Sequence, residues 1–149
     1  MTLDATDLAL VRALSDSGRA TFAQLAGETG LSTSATQARV RRLEAEGVIT
    51  GYRAVVDPEA VGQPLAAFIE ITPLDPAQPD DAPRRLEHLP EISACYSVAG
   101  DASYLLMARV ASPRALEDLL QRIRSAASVR TRSTVVLQTF FERATAPLP

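Results

Sequence analysis

Apolar positions in the first fifty residues recur at helical spacing in three short runs. The first predicts a helix from Asp4 to about Asp16, with Leu3, Leu10, Val11 and Leu14 on one stripe, Asp4 and Asp7 in its N-terminal turn, and Ser17-Gly18 as its end. The second begins at Thr21, has Gln24 at capping-box spacing, turns Phe22, Leu25 and Ala26 inward, and stops at Gly30. Gly30-Leu31-Ser32 then leads directly into a third helix, which Ser32 caps and Gly47 terminates after about Glu46. Two short helices joined by so tight a turn form a helix-turn-helix.

The pattern changes after Gly47. Val48 to Val56 reads as extended chain, and LAAFIEIT at 65–72 as a strand. The proline-studded stretch Pro73 to Pro83 is a loop, followed by a short helix through Leu86 and Leu89 that stops at Pro90. Strands are expected at about 92–99 and 103–110. Ser112-Pro113 then opens a helix with Leu116, Leu119, Leu120 and Ile123 inward, and a last strand covers about 132–141. The order β-α-β-β-α-β is the ferredoxin-like arrangement. The fold class is therefore α+β, with a helix-turn-helix domain and its extended linker at 1–57 and a ferredoxin-like domain at 58–149, divided near Asp57-Pro58.

Placed on a helical wheel, Thr36, Val40 and Leu43 of the third helix form one stripe, which faces the domain core. The opposite face carries Ser34, Gln37, Ala38, Arg41, Arg42 and Ala45. Small residues let a helix approach base edges, Gln and Arg carry the donor patterns that read adenine and guanine, and Ser holds phosphate. Such a face suits a major groove, with Ser32 and Thr33 at the helix N-terminus beside it. Arg39 projects to the side of the core stripe, as a phosphate contact or an intradomain partner for an acid such as Glu44 or Glu46. The alternative for Arg41 and Arg42 is simple solvation of an exposed face. A single helix of this kind binds weakly, so useful affinity requires at least two copies on one DNA.

Charge does not announce a nucleic-acid partner: the net charge is −3. Its distribution matters more. Residues 1–56 balance six Arg against six acids, whereas 57–149 carry nine Arg and twelve acids, and no Lys occurs. The all-Arg composition and abundant Ala fit a GC-rich genome. One cysteine, Cys95, cannot form an internal disulfide and is expected as a small buried hydrophobe in a strand. One histidine, His88, gives no zinc or iron cluster, and Asp80-Asp81 reads as helix-start chemistry, so no metal or other cofactor is expected. No Ser/His/Asp, Cys/His or paired-carboxylate arrangement supports catalysis, so no enzyme is expected. No stretch approaches the roughly 18 apolar residues of a membrane span, and the opening MTLDATD is acidic, which places the protein in the cytoplasm, on the nucleoid.

These residues resemble the feast/famine regulators of the Lrp/AsnC family over essentially the whole chain. The resemblance rests on Leu3-Asp4 with Asp7, Gly18-Arg19-Ala20, Leu25-Ala26, Gly30-Leu31-Ser32, Ser34, Arg39-Val40, Arg42-Leu43-Glu44, Gly47-Val48-Ile49 and Gly51-Tyr52. Further along it includes Val98-Ala99-Gly100, Tyr104-Leu105-Leu106 and Val129-Arg130-Thr131-Arg132-Ser133-Thr134. It implies a winged helix-turn-helix, homodimers formed through the ferredoxin-like domains with the extended segment near Thr50–Val56 pairing between partners, and assembly toward octamers. It also implies an amino-acid effector bound between dimers, at Gly100, Asp101, Ser103, Tyr104, Thr131, Ser133 and Thr134. Two positions depart from the family pattern: Ser103, where many members have Asp, and Thr36, where an apolar residue is usual.

The expected function is sequence-specific regulation of transcription on double-stranded DNA, at a pseudo-palindromic operator, tuned by a small effector. An architectural, chromosome-organising protein of the same fold is the alternative. Phe140-Phe141 and Leu137 are expected to cover the sheet or a subunit interface.

Overall fold

Asp4 caps the first helix, α1 (Ala5–Asp16), through a reciprocal box in which its side chain accepts from the Asp7 amide and the Asp7 side chain accepts from the Asp4 amide. Thr21 and Gln24 form the same box at the head of α2 (Phe22–Thr29), and Gly30 ends that helix in the left-handed region at φ 69°. Ser32 accepts from the Ala35 amide and opens α3 (Thr33–Ala45). Each box satisfies amides that a helix start leaves without partners. In this computed structural model residues 2–142 are described, and 143–149, the remainder of the expected second domain, lie outside them. The chain divides into two units, one running through Val55 and the other from Val56 to Glu142.

The first unit is three helices around Leu10, Leu25, Val40 and Leu43, all fully buried, with Leu14, Phe22, Val48 and Ile49 packed against them. The stripe expected on the third helix is the one observed: Thr36, Val40 and Leu43 are its buried residues. After Gly47, at φ 72°, the amides of Val48 and Ile49 both donate to the Leu43 carbonyl, so the chain folds back on the helix end. Residues 50–56 form neither helix nor strand here.

The second unit contains β1 (Leu65–Pro73), α4 (Ala82–Leu86), β2 (Ile92–Ser97), β3 (Tyr104–Val110), α5 (Pro113–Ala127) and β4 (Val129–Val135). All pairings are antiparallel, in the order β2-β3-β1-β4. One sheet face carries Ile69, Ile71, Leu106, Ala108 and Val110 against Leu86, Leu119 and Ile123 from the helices. The other face meets no helix among the described residues of this unit and presents Phe68, Leu105, Met107, Tyr96 and Thr134.

Three expectations need correction. The last strand begins at Val129, not 132, and ends at Val135. Its start is set by Ser128, whose left-handed backbone (φ 52°) ends α5 and turns the chain straight into the sheet. The fourth helix stops at Leu86, and Leu89 is buried from a following turn. Cys95 is exposed rather than buried, because β2 is an edge strand.

Candidate functional site

The third helix presents Ser34, Ala38 and Arg41 as exposed residues and Gln37 as half-buried, opposite the Thr36–Val40–Leu43 stripe. Ser32 and Thr33 lie exposed at its N-terminus, where the Ser32 and Ser34 hydroxyls are 3.2 Å apart. Free amides, two hydroxyls and the positive end of the helix dipole meet there, an arrangement suited to a phosphate. Core packing fixes the helix's rotation, which makes the outward set a rigid surface.

The arginines separate into two kinds. Arg39 Nη1 donates to Asp4 Oδ2 at 2.7 Å and to Asp7 Oδ1 at 2.8 Å. Arg42 Nη2 lies 2.7 Å from both carboxylate oxygens of Asp7. Arg41 is exposed and makes no ion pair among the described residues. Arg39 is therefore an intradomain partner, as one of its two expected roles had it, though of Asp4 and Asp7 rather than of Glu44 or Glu46. Arg42, expected to face outward with Arg41, turns its guanidinium back to the first helix. Glu44 instead accepts from the Tyr52 hydroxyl at 2.8 Å, and that phenol is pushed up to about 12 by burial and by this bond.

Asp7 was legible only as a helix-start acid. Its side chain is 2% exposed, between two guanidinium groups. Burial pushes its carboxyl up, and hydrogen bonds from Arg39 and Arg42 more than offset this, leaving it below the ordinary value of 3.8. Asp4 is also lowered, chiefly by its bond from Arg39. The sequence signal that marked Asp7 is its position three residues before Leu10, on the inward stripe.

In the second unit, Tyr104 and Thr131 occupy one row of the sheet, on either side of Ile71. The Ser103 amide donates to the Ile71 carbonyl and the Val98 amide to the Ser103 carbonyl, closing the β2–β3 loop over the same sheet end. Gly100 and Asp101 lie exposed in that loop. Gly100 has no positive φ, and a Cβ there would meet nothing within 4 Å, so no contact among the described residues calls for glycine. Ser133 belongs to the next row, beside Ile69 and on the same face as Thr131. Thr134, beside Phe68, points to the opposite face. The geometry thus gathers Gly100, Asp101, Ser103, Tyr104 and Thr131 at one end of the sheet, with Ser133 on the same face and Thr134 apart.

Two hydrogen bonds tie neighbouring segments to this end. The Tyr104 hydroxyl donates to Asp80, an acid sequence reasoning assigned to a helix start, and the phenol is pushed up to about 12, first by that bond. Asp81, at the start of α4, makes no side-chain cap and pairs with Arg85 at 2.9 Å instead. Arg124 Nη1 donates to the Thr131 hydroxyl at 3.2 Å.

On the open sheet face, Ala66, Phe68 and Met107 meet Val136, Phe140 and Phe141 around an apolar cavity of about 390 Å³. Phe140 and Phe141 remain 85% and 75% exposed, so the chain that covers this face leaves its own aromatics uncovered. No group of three or more metal-ligating side chains occurs among the described residues, nor is any helix there long and apolar enough to cross a membrane.

Comparison with known proteins agrees with both halves. Residues 3–50 match the winged helix-turn-helix DNA-binding model, and residues 66–146 match the Lrp/AsnC ligand-binding domain. The HTH-type transcriptional regulator LrpA of Mycobacterium tuberculosis is 64% identical over 139 residues, 93% of each chain. The leucine-responsive regulatory protein of Haemophilus influenzae is 39% identical over 121 residues, 79% of this chain and 72% of that one. A feast or famine regulatory protein from M. tuberculosis, solved in complex with L-methionine, superposes with a TM-score of 0.95 at 61% identity, covering 97% of this chain and 99% of the other. The helix-turn-helix and the ferredoxin-like sheet thus have one common explanation: this chain belongs to the Lrp/AsnC family of transcriptional regulators.

Proposed function

We propose that this regulator reads a pseudo-palindromic operator through paired third helices and that an amino acid, bound between dimers at the Tyr104 end of the sheet, modulates its hold on DNA. The observation that carries the reading is the outward face of α3: Ser34, Gln37, Ala38 and Arg41 on a helix whose rotation three buried residues fix. Ser32 and Thr33 add phosphate contacts at its N-terminus. One such helix per chain gives few phosphate contacts, and tight binding follows from joining copies.

The open sheet face suits that joining. Phe68 and Tyr96 are 39% and 54% exposed beside Leu105 and Met107, an apolar surface of the kind that a second copy covers. A homodimer through this face, assembling further to an octamer, also brings sheet ends from neighbouring dimers together. L-methionine in the M. tuberculosis complex supports an amino acid as the effector class. Hydroxyls at Ser103, Thr131 and Ser133 and the exposed amides of the Gly100–Asp101 loop can hold its carboxylate, and Asp101 its ammonium group. Thr134, on the other face, falls to the dimer contact. The reading is of control by binding rather than catalysis, in the cytoplasm on the nucleoid.

Fluorescence anisotropy of the full chain on a duplex from its own promoter and on an unrelated duplex, with and without L-methionine, tests this. The expected result is a promoter preference of at least about 10³-fold, steep loss of affinity with salt, and a ligand-dependent shift. Equal affinity for both duplexes with no stabilisation by any amino acid would overturn it in favour of an architectural protein.

A further inference from the structure

The three arginines of α3 are the obvious DNA-binding charge of the first unit, yet two of them are spoken for. Asp7 accepts from Arg39 and Arg42, and Asp4 accepts from Arg39, with every distance between 2.7 and 2.8 Å. Both acids belong to the capping box of α1, where the Asp7 amide donates to Asp4 Oδ1 at 2.7 Å and the Asp4 amide to Asp7 Oδ2 at 3.2 Å. The box fixes the two carboxylates relative to each other, and the carboxylates fix two guanidinium groups. Their side chains are still 32% and 44% exposed, so both groups border solvent on the helix that the proposed function places on DNA. Without the acids, each would be a long, mobile cation within reach of any phosphate.

We infer that Asp7, with Asp4, is a positioning residue that sets the specificity of DNA reading: it withholds Arg39 and Arg42 from phosphates, so that binding depends on the Ser34–Gln37–Arg41 face. This deepens the proposed DNA reading and rests on it. The physical reason is that a phosphate contact is blind to sequence. Each guanidinium placed on a phosphate steepens the dependence of log K on log salt by about 0.9 and raises affinity for every duplex alike. A network with two acids and two arginines contributes no net charge, and it locks α3 to α1. The burial of Asp7 makes the lock one-sided, because solvent cannot replace the guanidinium groups that hold it.

The test measures salt slopes of anisotropy titrations of the full chain on promoter and unrelated duplexes, for the unsubstituted protein, Asp4→Asn with Asp7→Asn, Arg42→Gln and Arg41→Gln. The paired Asn variant is expected to bind the unrelated duplex more tightly, with a slope steeper by up to about 1.8 per bound chain, and to show a promoter preference reduced at least threefold. Such a gain of non-specific affinity is not produced by a merely loosened fold. Arg42→Gln is expected to leave the slope unchanged, while Arg41→Gln lowers the promoter preference by about fivefold or more. The inference is overturned if a folded Asn variant keeps the original slope, or if Arg42→Gln flattens the slope by about 0.9 per chain. Should the Asn pair fail to fold, the slope of Arg42→Gln decides alone. An unsubstituted protein that binds neither duplex overturns the DNA reading itself, which separates that failure from this one.

Discussion

Arg42 Nη2 reaches across 35 positions of sequence to lie 2.7 Å from both oxygens of Asp7, joining the last turn of the third helix to the first turn of the first. This contact makes the helix-turn-helix an electrostatically closed unit as well as an apolar one.

Its acid stability follows. The folded pKa values of Asp7 and Asp4 are lowered, so their contribution is complete above the unfolded carboxylate value of about 3.9 and is lost as pH falls through the lower folded values. Thermal melts between neutral pH and pH about 3 should show the first unit losing stability from just above that unfolded value downward. Asp7→Asn should be less stable at neutral pH and flatter over the same interval. A parallel pH profile for the two proteins would refute the assignment.

Thr36 has its side-chain oxygen buried with no hydrogen-bond partner among the described residues, in a stripe otherwise apolar. Thr36→Val keeps the shape and removes the unsatisfied hydroxyl, so it should stabilise the first unit by about 1 kcal/mol. Denaturant unfolding that shows equal or lower stability would argue for a partner formed in solution.

Leu43 is fully buried among Leu10, Leu25 and Val40. Leu43→Ala removes side-chain volume that three short helices cannot refill, at a cost of about 2–5 kcal/mol. Circular dichroism should show the helix-turn-helix melting early while the sheet of the second unit persists; simultaneous loss of both would contradict two separate cores.

Phe68 lies on the open sheet face, 39% exposed and opposite the packed side of β1. Phe68→Glu should leave the second unit folded and, under the proposed assembly, shift the protein toward monomers in sedimentation velocity. Unchanged association of a folded variant would move the dimer contact elsewhere.

The local features were the ones sequence could show. Caps at Thr21, Ser32 and Ser112, the glycine stops at 30 and 47, and the buried stripes of α3 and α5 each depend on residues within one or two turns of each other. The element order β-α-β-β-α-β also followed, because strand and helix periodicities alternate along the chain. What escaped were pairings between distant segments. Asp7 with Arg42 and Asp80 with Tyr104 join residues 35 and 24 positions apart, and nothing in a helix-start acid says which cation or hydroxyl will meet it. The start of β4 was missed for another reason: Ser128 adopts a left-handed turn usually filled by glycine.

Alternation along β4 partitions what its substitutions can report. Thr131 and Ser133 look toward the helices, whereas Arg132 and Thr134 look toward the uncovered side. Under the proposed function, a genetic screen for variants deaf to a metabolite should collect Thr131 and Ser133, and a screen for variants unable to associate should collect Arg132 and Thr134. Signal reception and subunit recruitment could then be dissected, and could evolve, independently within a ribbon of seven residues.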